Sequence, residues 1–77
     1  MGGTMADPEM HYVDSSNVEA IGWDAESQEL HVLFVAGGGL YVYQEVPDYV
    51  FEGFLNAPSK GSYLHREIKG RFQYEKR

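Results

Sequence analysis

The chain contains no cysteine, and it has no lysine or arginine before residue 60. The lack of cysteine excludes disulfide bonds, thiolate metal sites and cysteine nucleophiles, and it fits a reducing compartment better than a secreted scaffold. No apolar run approaches the roughly 18 residues of a membrane-spanning helix, and the first residues lack the basic and apolar pattern of a signal peptide. We therefore expect a cytoplasmic protein without a membrane partner.

The composition is that of one small globular domain. Of the 77 residues, 43% are hydrophobic and 23% are charged, which is unlike the charge-rich, apolar-poor balance of disordered chains. A domain of this size buries only about 60% of the surface of its unfolded chain. Most of its aromatic side chains are therefore predicted to be needed in the core.

The fixed charges are divided unevenly along the chain. Residues 1–59 carry ten acidic residues and no Lys or Arg, a formal charge of −10, whereas residues 60–77 carry six basic and two acidic residues, a formal charge of +4. The net charge of −6 therefore hides a basic C-terminal quarter. Such an end can attract polyanions even when the whole molecule repels them.

The residue pattern predicts an α+β fold, a three-stranded antiparallel β-meander followed by two α-helices in a single small domain. Alternation with a period of two residues predicts strands at 17–24, 29–36 and 40–45, and the glycines at 37–39 close the second hairpin. The apolar positions then change to helical spacing, which predicts two helices that pack on one face of the sheet.

The two helices are predicted at 47–56 and 60–69. Pro47 fits the first position of the first helix, where its missing N–H costs nothing. Ser59 is a good N-cap for the second helix, and Gly70 is a typical residue to end it.

The two ends of the chain carry weaker patterns. Residues 1–13 show no period and are predicted to be a flexible leader, which leaves 14–77 as the folded domain. The tail at 71–77 alternates Phe72 and Tyr74 with polar residues. That alternation fits either an additional edge strand or a segment that wraps the core.

Several of these segments together resemble the KTSC domain. The matching residues are SSN at 15–17, IGWD at 21–24, LHVLF at 30–34, YVY at 41–43, VP at 46–47, APSKGSYL at 57–64 and IKGRF at 68–72. This family takes its name from the C-terminus of some lysyl-tRNA synthetases, and its members also occur as small free-standing bacterial or phage proteins. The attachment to a synthetase implies structured or tRNA-like RNA as the partner.

Tyr41 and Tyr43 lie two residues apart on a predicted strand, so that both rings leave the same face. If that face is open, the rings form a surface on which bases stack; if the helices cover it, they are core residues with hydroxyls at the rim. A three-residue loop would pair Phe34 with Val42, whereas a two-residue loop would pair Phe34 with Tyr41. The length of the glycine loop therefore decides which way the tyrosines point.

A candidate anion site lies at the start of the second predicted helix, at Ser59, Lys60 and Gly61. Unpaired N–H groups and the helix dipole favour anions there, the glycine lets a phosphate approach the backbone, and the lysine adds charge. The alternative is that Ser59 is only an N-cap. The segment is too short for a Walker motif, so nucleotide hydrolysis is not predicted.

A candidate basic strip follows on the same helix and at its exit. Arg66 and Lys69 are three residues apart and would share a helical face, and Lys60 and Arg71 would extend the strip at either end. The alternative is a solvated face, because cations are favoured near helix C-termini for local electrostatic reasons.

No enzyme, cofactor or metal site is predicted. The three histidines, His11, His31 and His65, do not have the spacing of metal ligands beside a carboxylate, and no convergent acid/base set is present. The predicted function is a non-catalytic binding module for nucleic acid. The residues expected to contact it are Lys60, Arg66, Lys69, Arg71, Tyr41, Tyr43 and Tyr63. The alternative is a protein-interaction or self-associating module that uses the exposed sheet face and the edge strand.

Overall fold

The computed structural model describes residues 8–77, which form a five-stranded antiparallel sheet whose strand order follows the chain. The strands are β1 (His11–Tyr12), β2 (Val18–Asp24), β3 (Glu29–Phe34), β4 (Gly39–Tyr43) and β5 (Tyr74–Lys76). The helices are α1 (Asp48–Asn56) and α2 (Lys60–Tyr63), and α2 continues as a π-helical segment (Leu64–Ile68). The α+β class with two helices is confirmed, but the prediction of three strands is wrong, because the sheet has five.

The two additional strands lie at the ends of the chain. β1 pairs with β2. Its two residues belong to the segment 1–13 that was predicted to be a flexible leader, and residues 1–7 of that segment lie outside the described residues. The chain before β1 crosses β2 at Gly22, where a Cβ atom would lie 2.7 Å from the Glu9 carbonyl oxygen. β5 pairs with β4, so the tail adds an edge strand. The edge strand was one of the two predicted alternatives for the tail, whereas β1, with two residues, is too short for a period to be visible in the sequence.

The turn between β3 and β4 lies earlier in the chain than in either predicted alternative. Phe34 pairs with Gly39 rather than with Tyr41 or Val42, which leaves four residues, 35–38, between the paired strands. Two of them, Ala36 and Gly37, have φ angles of 56° and 77°, as the two central residues of a type I′ turn require. The Gly38 N–H donates to the Val35 carbonyl across this turn at 3.0 Å.

This register places both β4 tyrosines on the face that the helices cover. Tyr43 lies opposite Leu30 and Tyr41 opposite Val32. One apolar core fills the space between this face and the helices. Its buried members are Val18, Ile21, Leu30, Val32, Tyr43, Val46, Val50, Phe54, Leu64 and Ile68.

The helix ends differ from the prediction by one residue each. Pro47 is the extended N-cap of α1 rather than its first helical residue, with φ −73° and ψ 161°. The second helix ends at Ile68 because the Lys69 N–H donates to the Leu64 carbonyl at 2.8 Å, a π-type bond, and Lys69 is then extended. Gly70 follows at φ 79°. Lys69 therefore leaves the helical face that it was predicted to share with Arg66.

Candidate nucleic-acid interface

Four aromatic rings form a continuous row on β3, β4 and β5. Phe34 meets Tyr41 edge to face at 5.2 Å between ring centroids. Tyr74 contacts both β4 tyrosines, at 5.3 Å from Tyr41 and 5.4 Å from Tyr43. The row arises from register, because Tyr43 and Tyr74 are cross-strand partners and aligned aromatic pairs stabilise a sheet.

A groove runs along this row. One part of about 460 Å³ lies between the row and the β2 entry loop, and a second part of about 300 Å³ lies between the row and the exit of the second helix. Both parts are lined by Tyr41, Tyr43 and Lys69. The groove is therefore one feature, formed where the helix ends short of the strand ends.

The β4 tyrosines combine the two predicted alternatives. Tyr43 is a core residue with only 1% of its surface exposed, yet its side chain also lines the floor of the groove. Tyr41 is half-buried and forms a wall of the groove. Tyr74, which is 58% exposed, forms the rim. Burial, followed by the neighbouring Tyr74 and Tyr41 phenols, raises the pKa of Tyr43 above its ordinary value.

Two lysines flank the aromatic row. Lys69 lines both parts of the groove. Lys76 is the cross-strand partner of Tyr41, and its Nζ lies 5.8 Å from the centre of that ring. Both lysines are exposed. They place two positive charges beside a surface whose side chains are otherwise neutral.

Polar groups of the β2 entry loop line the opposite side of the groove. The Ser16 hydroxyl donates to Asn17 Oδ1 at 2.8 Å. The Asn17 backbone carbonyl accepts from the Val35 N–H at 3.0 Å, which fixes this loop against the hairpin. Within residues 8–77 no acceptor binds Asn17 Nδ2, which lies near Gly61 at the start of α2.

The predicted anion site is organised as a pair of helix caps. Ser59 Oγ accepts the Ser62 N–H at 3.3 Å, which is the N-cap alternative. Lys60 Nζ donates to the Leu55 carbonyl at 3.0 Å and to the Ala57 carbonyl at 2.5 Å. The lysine therefore neutralises the end of α1. Its ammonium is not directed toward an anion at Gly61.

The remaining predicted contact residues lie outside the groove. Tyr63 stacks on Phe54 at 5.5 Å and donates its hydroxyl to the Val50 carbonyl at 2.9 Å, so it ties the second helix to α1. Burial raises the pKa of this phenol, consistent with its role as a donor. Arg66 pairs with Glu67 at 3.1 Å, and Arg71 donates to the Arg66 carbonyl at 3.2 Å. The two arginines form an exposed basic patch beside the helix exit.

The structure adds residues that the sequence analysis did not select. Lys76 and Tyr74 belong to β5, and the alternation in the tail was the only signal for them. Asn17 and Phe34 carried no signal, because their place in the groove depends on the loop register. Among the described residues, no three His, Asp or Glu side chains lie close enough together to hold a metal ion. None of the helices in this part of the chain is long and apolar enough to cross a membrane.

Comparisons with known proteins agree on one family. The KTSC domain family matches residues 14–72. A protein of Tsukamurella paurometabola is 42% identical over 64 residues, which are 83% of this chain and 94% of that protein. A lysine–tRNA ligase of Nostoc sp. is 42% identical over 62 residues, which are 80% of this chain but only 11% of the ligase.

A solved structure shares the whole fold. The crystal structure of a KTSC domain protein from Yersinia pestis has 32% sequence identity and a TM-score of 0.87, and the match covers 92% of this chain and 99% of that one. These matches point to no catalytic family for the domain itself. By its sequence and by its fold, this chain belongs to the KTSC domain family.

Proposed function

We propose that the domain is a non-catalytic module that binds RNA through the aromatic groove and the cations around it. The observation that carries the proposal is the position of Lys69 and Lys76 beside a row of three tyrosines, Tyr41, Tyr43 and Tyr74. Lysine ammonium groups bind phosphates, and aromatic rings stack on bases. Both contact types that a nucleic-acid strand offers are therefore met at one place.

The distribution of charge supports the same surface. All six fixed cations lie in residues 60–77, and ten of the twelve acidic residues lie before them. Repulsion from the acidic part favours approach of a polyanion from the groove side. Arg71 adds an exposed cation beside the helix exit. Arg66, which pairs with Glu67, and Lys60, which caps α1, are left out.

The relatives give independent support for RNA. A stretch similar to this chain occurs in proteins named lysine–tRNA ligase, where it makes up 11% of the length. Such a domain would add an RNA contact to an enzyme whose substrate is tRNA. The free-standing relatives would use the same surface without an attached enzyme.

A titration of a labelled tRNA at low salt tests the proposal. We expect wild-type protein to bind, and we expect Lys69→Ala and Lys76→Ala to weaken binding several-fold each, because each removes a phosphate contact. Arg66→Ala is the matched control, since it removes an exposed cation that faces Glu67 and Tyr63 rather than the groove. The absence of binding at low salt, or equal losses in all three variants, would contradict the groove as the RNA site.

A specific observation also supports protein contact as a second candidate function. Tyr12, Leu33 and Leu40 lie in one cross-strand row on the sheet face opposite the helices, in which the residue between Tyr12 and Leu33, Ala20, is buried. Tyr12 is 75% exposed. Association through this face would depend little on salt, whereas phosphate binding weakens steeply as salt is added.

A further inference from the structure

The shape of the groove limits how an aromatic ligand can enter it. Neighbouring rings of the row are already 5.2 to 5.4 Å apart, so no further ring fits between them. A planar ligand must therefore lie on the row, against Tyr41 and Tyr74. The part of the groove that Tyr41 and Tyr74 both line has a volume of about 300 Å³, at the lower end of the range of about 300 to 1,000 Å³ that is common for small-molecule pockets.

The lining of the groove favours a ligand with polar edges. Ser16 and Asn17 line the larger part of the groove with polar side chains. Tyr43 lines both parts, and its hydroxyl has no hydrogen-bond partner among the described residues. An apolar side chain in the groove would cover these groups and leave them unpaired, at a cost. A nucleobase carries ring nitrogens and exocyclic groups that can pair with them.

The two lysines limit the ligand further. Lys69 and Lys76 stand beside the aromatic row rather than at its floor. A base lying on the row would therefore have its own phosphate groups near these ammonium groups. A base can expose its face in this way only when it is unpaired and out of the helical stack.

We propose that the groove holds one unpaired nucleotide of an RNA strand, with the base against Tyr41 and Tyr74 and the adjoining phosphates beside Lys69 and Lys76. This inference rests on the proposed function and specifies its ligand. Base-paired RNA would then contact only the cations. An unpaired nucleotide would contact the cations and the rings together.

Two RNA duplexes test the inference, one blunt-ended and fully paired and the other of the same sequence with one bulged nucleotide. Fluorescence anisotropy at low salt measures both affinities. We expect wild-type protein to bind the bulged duplex about five-fold or more tightly, the lower end of what one base–aromatic stack contributes. Tyr74→Ala should remove this preference and leave the affinity for the blunt duplex unchanged.

Two further variants separate lost stacking from lost structure. Tyr41→Leu keeps an apolar side chain on β4 and should also remove the preference, even if Tyr74→Ala loosens β5. Tyr49→Ala removes a tyrosine that is 73% exposed on α1, and it should leave both affinities as in the wild type. Circular dichroism checks that each variant is folded.

The possible failures are distinguishable. Equal wild-type affinities for the two duplexes, with Lys69→Ala weakening both, would overturn the nucleotide site and leave RNA binding through phosphates intact. A preference for the bulged duplex that survives both Tyr41→Leu and Tyr74→Ala would overturn it as well. If neither duplex binds at low salt, the proposed function itself is wrong.

Discussion

Tyr43 is the residue at which stability and the groove depend on the same atoms. Its ring is buried in the core, while its phenol lies on the groove floor beside two other tyrosines. Two causes raise the pKa of Tyr43 above the ordinary value of 10.0. The larger is burial, and the smaller is the neighbouring phenols of Tyr74 and Tyr41. The fold therefore accommodates the neutral phenol and disfavours the phenolate.

This pKa shift predicts a loss of stability in alkali. Below a pH of about 10 the phenol is neutral in both the folded and the unfolded chain, so the contribution of Tyr43 is fully present. As the pH rises from there toward the raised folded-state pKa, the unfolded chain releases the proton first, and the free energy of unfolding falls. Tyr43→Phe, which cannot ionise, should make this fall shallower above about pH 10.

Urea unfolding at a series of pH values measures the effect. The control is Tyr12→Phe, which removes a hydroxyl from a side chain that is 75% exposed and should leave the wild-type pH dependence unchanged. Parallel curves for Tyr43→Phe and the wild type would show that the Tyr43 phenol is not held neutral by the fold.

The sequence around Lys60 does not determine whether its ammonium binds an anion or caps the preceding helix. Next to a glycine at a helix start, a lysine is typical of a phosphate site. Its chain is also long enough to reach back to the preceding helix, and the open carbonyls of Leu55 and Ala57 bind its ammonium. Only the angle between the two helices decides between these roles, and that angle depends on tertiary packing.

At the scale of elements, the contact between α1 and the second helix is set by a glycine. A Cβ atom at Gly53 would lie about 2.4 Å from the Tyr63 hydroxyl oxygen and 3.0 Å from its ring. The ring cannot easily move, because it stacks on Phe54 and donates to the Val50 carbonyl. At Gly61, by contrast, the nearest atoms to a Cβ are those of the Asn17 amide at 3.9 Å.

These two helical glycines should respond in opposite directions to alanine. Gly53→Ala is expected to lower the free energy of unfolding by about 1 to 3 kcal/mol, the usual cost of overpacking. Gly61→Ala is expected to raise it by up to about 1 kcal/mol, because alanine has the higher helix propensity and the site has room. Chemical denaturation of both variants measures the difference, and a destabilisation of equal size in both would contradict the packing at Gly53.

The strands and helices also show how much of the fold can be predicted from the sequence. β2, β3 and α1 are long and strongly patterned, and each was predicted within one or two residues of its ends. The turn was predicted at residues 37–39, but it is centred on Ala36 and Gly37 because Ala36 adopts a positive φ, which glycine-based reasoning does not anticipate. The groove could not be placed from the sequence for the same reason, because the turn position sets the pairing of β3 with β4.

At the scale of the whole molecule, charge should orient any polyanion. The acidic residues that precede residue 60 outnumber the cations after it, so the net charge is −6. At about 10 mM salt the Debye length is roughly 30 Å, and the acidic part then repels RNA over most of the molecule. Near physiological salt the Debye length falls to about 8 Å, so that only the local charges of the groove side act on a bound strand.

The salt dependence of RNA binding follows from this geometry. Lys69, Lys76 and Arg71 provide two to three phosphate contacts, so the slope of log K against log salt on a paired RNA should be about −2 to −3. Lys69→Ala should reduce the magnitude of that slope by about one, whereas Tyr74→Ala should leave it unchanged, because stacking releases no counterions. Titrations at four or more salt concentrations measure both slopes. A slope near zero would mean that the bound surface is apolar, and the row of Tyr12, Leu33 and Leu40 on the opposite face of the sheet would then be the better candidate for the contact.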